Sequence, residues 1–97
     1  MKTSYTLESI YDSRQSFYGK AKVSREELKN GGFIEELKSY NTIVARATLK
    51  DNTLVCEWLG DYSQTTTRHQ KEFFKQLNLN DKEIMELRKK GTLTKSI

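Results

Sequence analysis

The sequence predicts an α+β domain in which a small antiparallel sheet of three to five strands carries two C-terminal helices on one face. Apolar and polar residues alternate in several short segments before residue 59, and two of these segments pair as a hairpin in one consistent register. Apolar residues recur at helical spacing after residue 63. Strands followed by helices are typical of a sheet with all its helices on one side. The 97 residues fit a single domain, residues 1–97.

The first half of the chain predicts up to three strands. Residues 3–11 alternate weakly and indicate an edge strand, and Ser16–Val23 alternates more clearly. Residues 24–30 are expected to form a loop or a single helical turn. Phe33–Tyr40 is then expected to be a strand, because it follows the turn signal Asn30-Gly31-Gly32. One face of the second strand would carry Phe17, Gly19, Ala21 and Val23.

Residues 43–49 and 54–58 predict a hairpin. Asp51-Asn52 lies between them, and both residue types tolerate the left-handed conformation that a two-residue turn needs. That turn fixes the register, which places the large indole of Trp58 opposite the small side chain of Ala45. The other expected pairs are Leu49 with Leu54, Ala47 with Cys56 and Arg46 with Glu57. The outer face of the first strand would carry Val44, Arg46 and Thr48.

Helical spacing predicts a first helix over about residues 64–77. Ser63 or Thr65 is expected to cap its N-terminus through a side-chain hydroxyl. The stripe along this helix is formed by Thr66, His69, Phe73 and Leu77, widened by Phe74. The aromatic part of the stripe is expected to cover the hairpin face of Ala45, Ala47 and Trp58.

A second helix is predicted over residues 81–90. Asn80 with Glu83 three residues later approximates a capping box, and Gly91 is a natural stop. Basic residues occupy the last turn, where they suit the helix dipole. The tail Thr92–Ile97 is expected to be frayed.

Composition indicates a cytoplasmic protein that does not enter a membrane. No apolar run approaches the roughly 20 residues of a membrane span, and the N-terminal residues lack the apolar core of a signal peptide. Cys56 is the single cysteine, so an internal disulfide is impossible and a reducing compartment is expected. We therefore expect a cytoplasmic setting.

The residues that could carry catalysis favour a protein without enzymatic activity. His69 is the only histidine, and Ser63 precedes it by a spacing that fits no recognised nucleophile–base pair. We expect His69 to be packed or capping, and Cys56 to be a buried, inert thiol. One histidine and one cysteine are too few for a metal centre. No catalytic residue, metal site or cofactor is predicted, and an enzyme built on His69 is the least favoured alternative.

The whole net charge of +4 lies after residue 67, where eight basic residues face four acidic ones. A basic surface on the two helices could bind DNA or RNA, and a solvated lysine-rich face is the simpler interpretation. The basic residues are Arg68, Lys71, Lys75, Lys82, Arg88, Lys89, Lys90 and Lys95.

Two further binding sites are predicted. Ser63, Thr65, Thr66 and Arg68 could hold an anion at the start of the first helix, although the hydroxyls could simply cap it. Tyr18 and Tyr40 share the polar side of the sheet with several lysines and could stack on bases, although aromatic packing within the protein is the commoner role. The lysines are Lys20, Lys22 and Lys38.

Taken together, Ser16–Ala21, Ser39–Ala45 and Tyr62–His69 with Phe73-Phe74 resemble a family of small proteins encoded by phages and other mobile elements of Gram-positive bacteria. The resemblance covers about residues 16–78. It implies an accessory protein that binds and modulates a host nucleic-acid-handling complex, for example as an inhibitor of a CRISPR nuclease. Direct DNA or RNA binding through the basic helices is the alternative.

Overall fold

The computed structural model describes residues 2–13 and 16–97 and confirms the α+β class. Its antiparallel sheet has six strands, more than the three to five predicted, and neighbouring strands follow chain order. Both helices are inserted before the last strand. The elements are β1 (Lys2–Thr6), β2 (Ala21–Glu27), β3 (Phe33–Ser39), β4 (Thr42–Lys50), β5 (Thr53–Trp58), α1 (Gln64–Gln76), α2 (Asp81–Lys90) and β6 (Thr92–Ser96).

The core lies between one face of the sheet and the two helices. α1 packs over β3 and β4, and α2 packs over β5 and β6. The rings of Trp58 and Phe74 stack with centroids 6.2 Å apart, and Phe73 meets Phe74 edge-on at 5.0 Å. This confirms that the aromatic stripe covers the hairpin face. Full burial of each phenylalanine stabilises the fold by about 1.5–3 kcal/mol.

The predicted hairpin is confirmed in every pair. Ala45 lies opposite Trp58, and Arg46 lies opposite Glu57. Asp51 and Asn52 have φ angles of 53° and 62°, the two positive values that the favoured hairpin turn requires.

Val44 corrects the predicted alternation in β4. Leu37 pairs with Ala45 and Lys38 pairs with Ile43, so Val44 is an extra residue that forms a bulge. The bulge rotates the strand, and Val44 is fully buried whereas Ile43 is 36% exposed. The prediction that Val44 lies on the outer face is therefore wrong.

The predicted strand Ser16–Val23 is also wrong in its bounds. Residues 17–20 form a turn in which the N–H of Lys20 donates to the Phe17 carbonyl over 3.0 Å. β2 begins at Ala21 and continues to Glu27, through most of the segment predicted as a loop, and a 3₁₀ turn follows over Lys29–Gly31. The second half of β2 is polar and shows no apolar alternation, so the sequence pattern did not predict a strand there. The edge strand predicted over residues 3–11 is confirmed only for residues 3–6, because β1 spans Lys2–Thr6.

The C-terminal tail is ordered, which corrects the prediction that it frays. Gly91 ends α2 with φ 86°, and the chain then returns along β5 as β6, with Leu93 opposite Cys56. A polar five-residue segment becomes a strand because it satisfies the exposed N–H and C=O groups along the edge of β5.

The helix ends follow the predicted capping chemistry. Ser63 caps α1, and Asn80 with Glu83 forms a complete capping box at the start of α2. α2 has the predicted bounds, and α1 ends at Gln76 with Leu77 as its C-cap.

Candidate functional site

Polar side chains four residues apart on α1 bind the long segment between β1 and β2. The Glu72 carboxylate is buried and accepts hydrogen bonds of 2.9 Å from the backbone N–H groups of Tyr11 and Asp12. Arg68 Nη1 lies 2.9 Å from the Asp12 carboxylate. Gln76 is the third side chain to bind this segment, and its Nε2 donates to the Glu8 carbonyl over 2.8 Å. The charge of Arg68, expected to face solvent or an anion, is thus engaged within the protein.

Four of the other seven cations also form ion pairs, including Lys95, which lies on β6 and not on a helix. The structure pairs Lys75 with Asp81 at 3.3 Å, Arg88 with Asp61 at 3.0 Å, Lys90 with Glu86 at 2.8 Å and Lys95 with Glu83 at 3.1 Å. Among the described residues, Lys71, Lys82 and Lys89 have no ion-pair partner. The structure brings Lys71, Lys75 and Arg88 together along one groove between the helices, which Asp81 also lines. The helical basic surface is therefore mixed in charge.

The hydroxyls at the start of α1 form hydrogen bonds within the protein. Ser63 Oγ accepts from the N–H of Thr66 over 3.1 Å, and Thr67 Oγ1 donates to the Ser63 carbonyl. Of the predicted anion-binding residues, Thr65 and Arg68 line a cleft beside this helix end.

A series of hydroxyl hydrogen bonds connects the start of α1 to the ring of His69. The Ser63 hydroxyl donates to Thr66 Oγ1 over 3.2 Å. Thr66 Oγ1 lies 3.0 Å from Ser39 Oγ, which lies 2.7 Å from His69 Nδ1. Each hydroxyl has a single hydrogen, so donation in the same direction throughout ends with Ser39 donating to Nδ1. With this direction of donation the ring proton of His69 lies on Nε2, and with the reverse direction it lies on Nδ1.

His69 is fully buried, as the packing interpretation predicts, but only one of its nitrogens is satisfied. Burial lowers its pKa below the ordinary value of 6.5, and the Asp12 carboxylate opposes this shift only in part. The ring is therefore neutral at pH 7. It meets Phe17 edge-on at 4.6 Å and Tyr40 at 6.0 Å. In the described part of the chain Nε2 has no hydrogen-bond partner, which is uncommon for a buried polar atom.

Two hollows share Lys20 and Tyr40, and His69 lines the first of them. The first, the Tyr40 cleft, has a volume of about 310 Å³, and the second, the lysine hollow, about 290 Å³. Together they form what we term the Tyr40 surface. The cleft is lined by Ser16, Phe17, Tyr18, Lys20, Tyr40, Thr65, Arg68 and His69. The hollow is lined by Gly19, Lys20, Lys22, Lys38, Tyr40 and Asn41.

Both tyrosines of the Tyr40 surface are exposed and lie in turns with a left-handed backbone. Tyr18 is 79% exposed with φ 54°, and Tyr40 is 51% exposed with φ 56°. This conformation costs a residue with a side chain about 1–2 kcal/mol. Asparagine or glycine would occupy such positions at lower cost. Strained backbone retained under two exposed aromatic side chains is typical of binding sites.

The lysines of the Tyr40 surface contrast with the arginines of the same sheet. Lys22 lies directly opposite Lys38 on neighbouring strands, a like-charge pair that destabilises a sheet. Neither these two nor Lys20 pairs with a carboxylate within residues 2–13 and 16–97. Arg46, two strands from Lys22, contacts Glu36 at 2.9 Å and Glu57 at 3.0 Å. The predicted tyrosine–lysine group is thus assembled at one place with its charge unneutralised.

Residues 5–91 match the model of a family of unknown function, DUF8033. The chain belongs to this family. No curated protein and no solved structure matches it. Neither helix in the described ranges is long and apolar enough to cross a membrane.

Cys56 lies away from these sites, beneath the helices, and burial raises its pKa to about 11. Its thiol is therefore protonated at neutral pH, whereas the nucleophilic form of cysteine is the thiolate. The described residues contain no group of three or more histidine, cysteine, aspartate or glutamate side chains able to hold a metal ion.

Sequence reasoning missed the roles of Ser39 and Glu72. Ser39 contacts His69 from 30 positions away, and Glu72 contacts the chain some 60 positions upstream. The sequence contained one indication that Glu72 is buried, because Arg68, Glu72 and Gln76 share a helix face next to the apolar stripe. Ser39 had none, since a serine at a strand end is usually solvated.

Proposed function

We propose that this protein is non-enzymatic and binds single-stranded nucleic acid on the Tyr40 surface. The observation that supports this most is the unneutralised group formed by Lys20, Lys22 and Lys38 beside two exposed tyrosines. Lysines attract phosphates at any sequence, and exposed aromatic rings stack on unpaired bases. The basic surface of the helices and β6 is the weaker candidate, because five of its eight cations already contact carboxylates.

The arrangement favours a single strand over a duplex. In a duplex the bases are stacked on each other and their faces are closed to a tyrosine ring. On a single strand, each stacked base contributes about 1–3 kcal/mol while the phosphates track the lysines. The like-charge pair of Lys22 and Lys38 would be relieved by a bound phosphate.

The biological setting we propose follows from the resemblance to phage and mobile-element proteins. In a bacterial host cytoplasm, the protein would bind and modulate a nucleic-acid-handling complex, such as a CRISPR nuclease, through a single-stranded part of its nucleic acid. The Tyr40 surface supports this role by providing a contact that needs no particular protein partner.

Titration of labelled oligonucleotides, followed by fluorescence anisotropy, tests the binding. We expect binding that weakens steeply between about 50 and 200 mM salt, and single strands bound more tightly than a duplex of the same length. Tyr18→Asn should weaken binding about tenfold while the protein stays folded, because asparagine accepts the left-handed backbone. Tyr62→Asn is the matched control, since Tyr62 is exposed but lines neither hollow. Binding that is absent or independent of salt would refute the proposal.

Pull-down from a host lysate tests the setting separately. The protein should retain a nuclease or another nucleic-acid-handling complex, and digestion of the lysate with DNase and RNase should release that partner. A partner retained after digestion would indicate a protein–protein contact instead. If no nucleic-acid-handling partner is captured, the result would count against the modulator role. Direct binding of nucleic acid would then be judged by the anisotropy titrations alone.

A further inference from the structure

His69 Nε2 is a buried polar atom that forms no hydrogen bond within the described chain. The Nδ1 atom of the same ring lies 2.7 Å from Ser39 Oγ, and donation from Ser63 through Thr66 and Ser39 would place the ring proton on Nε2. His69 lines the Tyr40 cleft together with Phe17 and Tyr40, the two rings that contact it. Its side chain is fully buried, so a ligand reaches Nε2 only when the side chains that cover it move. An unpaired buried donor lowers stability, so a group that accepts from it would be bound favourably.

We propose that the Tyr40 cleft receives one base of a bound strand, and that His69 Nε2–H donates to an acceptor on that base. This rests on the proposed function and adds where a base goes and which residue reads it. Bases carry carbonyl oxygens and ring nitrogens that accept from an N–H group, and their faces suit an aromatic lining. The neutral state of His69 fits this role, since a neutral donor meets a neutral acceptor without a buried charge.

The size and lining of the cleft fit a single base. Its volume of about 310 Å³ lies at the lower end of the roughly 300–1,000 Å³ range of ligand pockets. Its lining is mostly apolar, as in most such pockets, and its polar residues include Thr65 and Arg68. Lys20 lines both hollows, so a strand with its base in the cleft would carry its phosphates along the lysine hollow.

The only histidine in the chain makes the proposal directly observable. A long-range ¹H–¹⁵N correlation spectrum of the wild-type protein contains one imidazole, and its ¹⁵N shifts should show the neutral tautomer protonated at Nε2. Three probes are then added in turn: a short single-stranded oligonucleotide, an oligonucleotide of equal length made of abasic sites, and a free nucleoside monophosphate. We expect the first and third to shift the Nε2 resonance and the abasic chain to leave it unchanged.

Affinity provides the second readout. The abasic chain keeps every phosphate but no base, so it should bind at least about fivefold more weakly than the normal oligonucleotide. His69→Phe, which keeps a ring but removes both nitrogens, should reduce this difference. The wild-type spectra do not depend on that variant folding.

Each outcome separates this inference from the proposed function. Equal binding of both oligonucleotides with an unshifted His69 would overturn the cleft as a base site and leave nucleic-acid binding intact. Failure of both oligonucleotides to bind would refute the proposed function, and the cleft would then stand only if the free nucleotide shifted Nε2. A Nε2–H that exchanges freely with solvent and responds to no probe would mean that water alone occupies the cleft.

Discussion

The two cationic regions of this protein differ in what their charges already contact. The helices and β6 hold eight basic residues, and five of them lie against carboxylates. The Tyr40 surface holds three lysines, and none has an ion pair among the described residues. The sequence locates all the net charge in the first region, whereas the folded chain leaves a compact group of unpaired cations in the second. A count of charges along a chain therefore does not locate the charge that is available for binding.

Removal of unpaired lysines from each region is the strongest way to break this comparison. We expect the triple variant K20Q/K22Q/K38Q to lose about two units of salt slope for a single strand, since each phosphate contact contributes about 0.7. The matched variant K71Q/K82Q/K89Q removes three helical lysines without ion pairs and should keep both slope and affinity. Salt-dependent anisotropy titrations measure both. A larger loss in the helical variant would reverse the assignment and support the basic helices as the nucleic-acid surface.

The next largest effect is expected from a change in the hydrogen bonds beneath the Tyr40 surface. Ser39→Ala removes the hydrogen-bond partner of His69 Nδ1 and leaves a second buried nitrogen unpaired. We expect the free energy of unfolding to fall by about 1–3 kcal/mol. Ser96→Ala, on the exposed edge strand β6, should change it by less than about 0.5 kcal/mol. Urea unfolding measures both, and equal losses would mean that the hydroxyl series does not stabilise the cleft.

The pH dependence of stability provides a further test of His69. Its pKa is lowered by burial, so the unfolded chain binds a proton near pH 6.5 more readily than the folded one. Stability should therefore fall as the pH drops through 6.5, and this loss should be smaller in His69→Gln, which cannot titrate. Unfolding measured about one unit above and about one unit below 6.5 separates the two proteins. Identical pH profiles would contradict a buried, neutral histidine.

The accuracy of the sequence-based predictions depended on how local the deciding interaction was. The turn at Asp51-Asn52 and the capping box of Asn80 with Glu83 were predicted correctly, because all the residues that determine them lie within a few positions. The exposure of Tyr18 and Tyr40 was also predicted, but from strand alternation, whereas both residues lie in turns. What could not be predicted depends on distant partners. β6 requires an open edge on β5, and the buried Glu72 requires backbone N–H groups about 60 residues away.

The smallest effect is expected when one helical cation is released from its ion pair. This change tests whether an unpaired cation on the helices contributes to binding. Asp81→Asn frees Lys75 from its ion pair but leaves the capping box of Asn80 in place. Asp81 is highly exposed, so we expect the free energy of unfolding to fall by no more than about 1 kcal/mol. If the helices take no part in binding, affinity for a single strand should change less than about twofold, because the added charge lies outside the contact and is screened by salt. Anisotropy at fixed salt measures this, and a clear gain in affinity would mean that the ion pairs mask a second nucleic-acid contact on the helices.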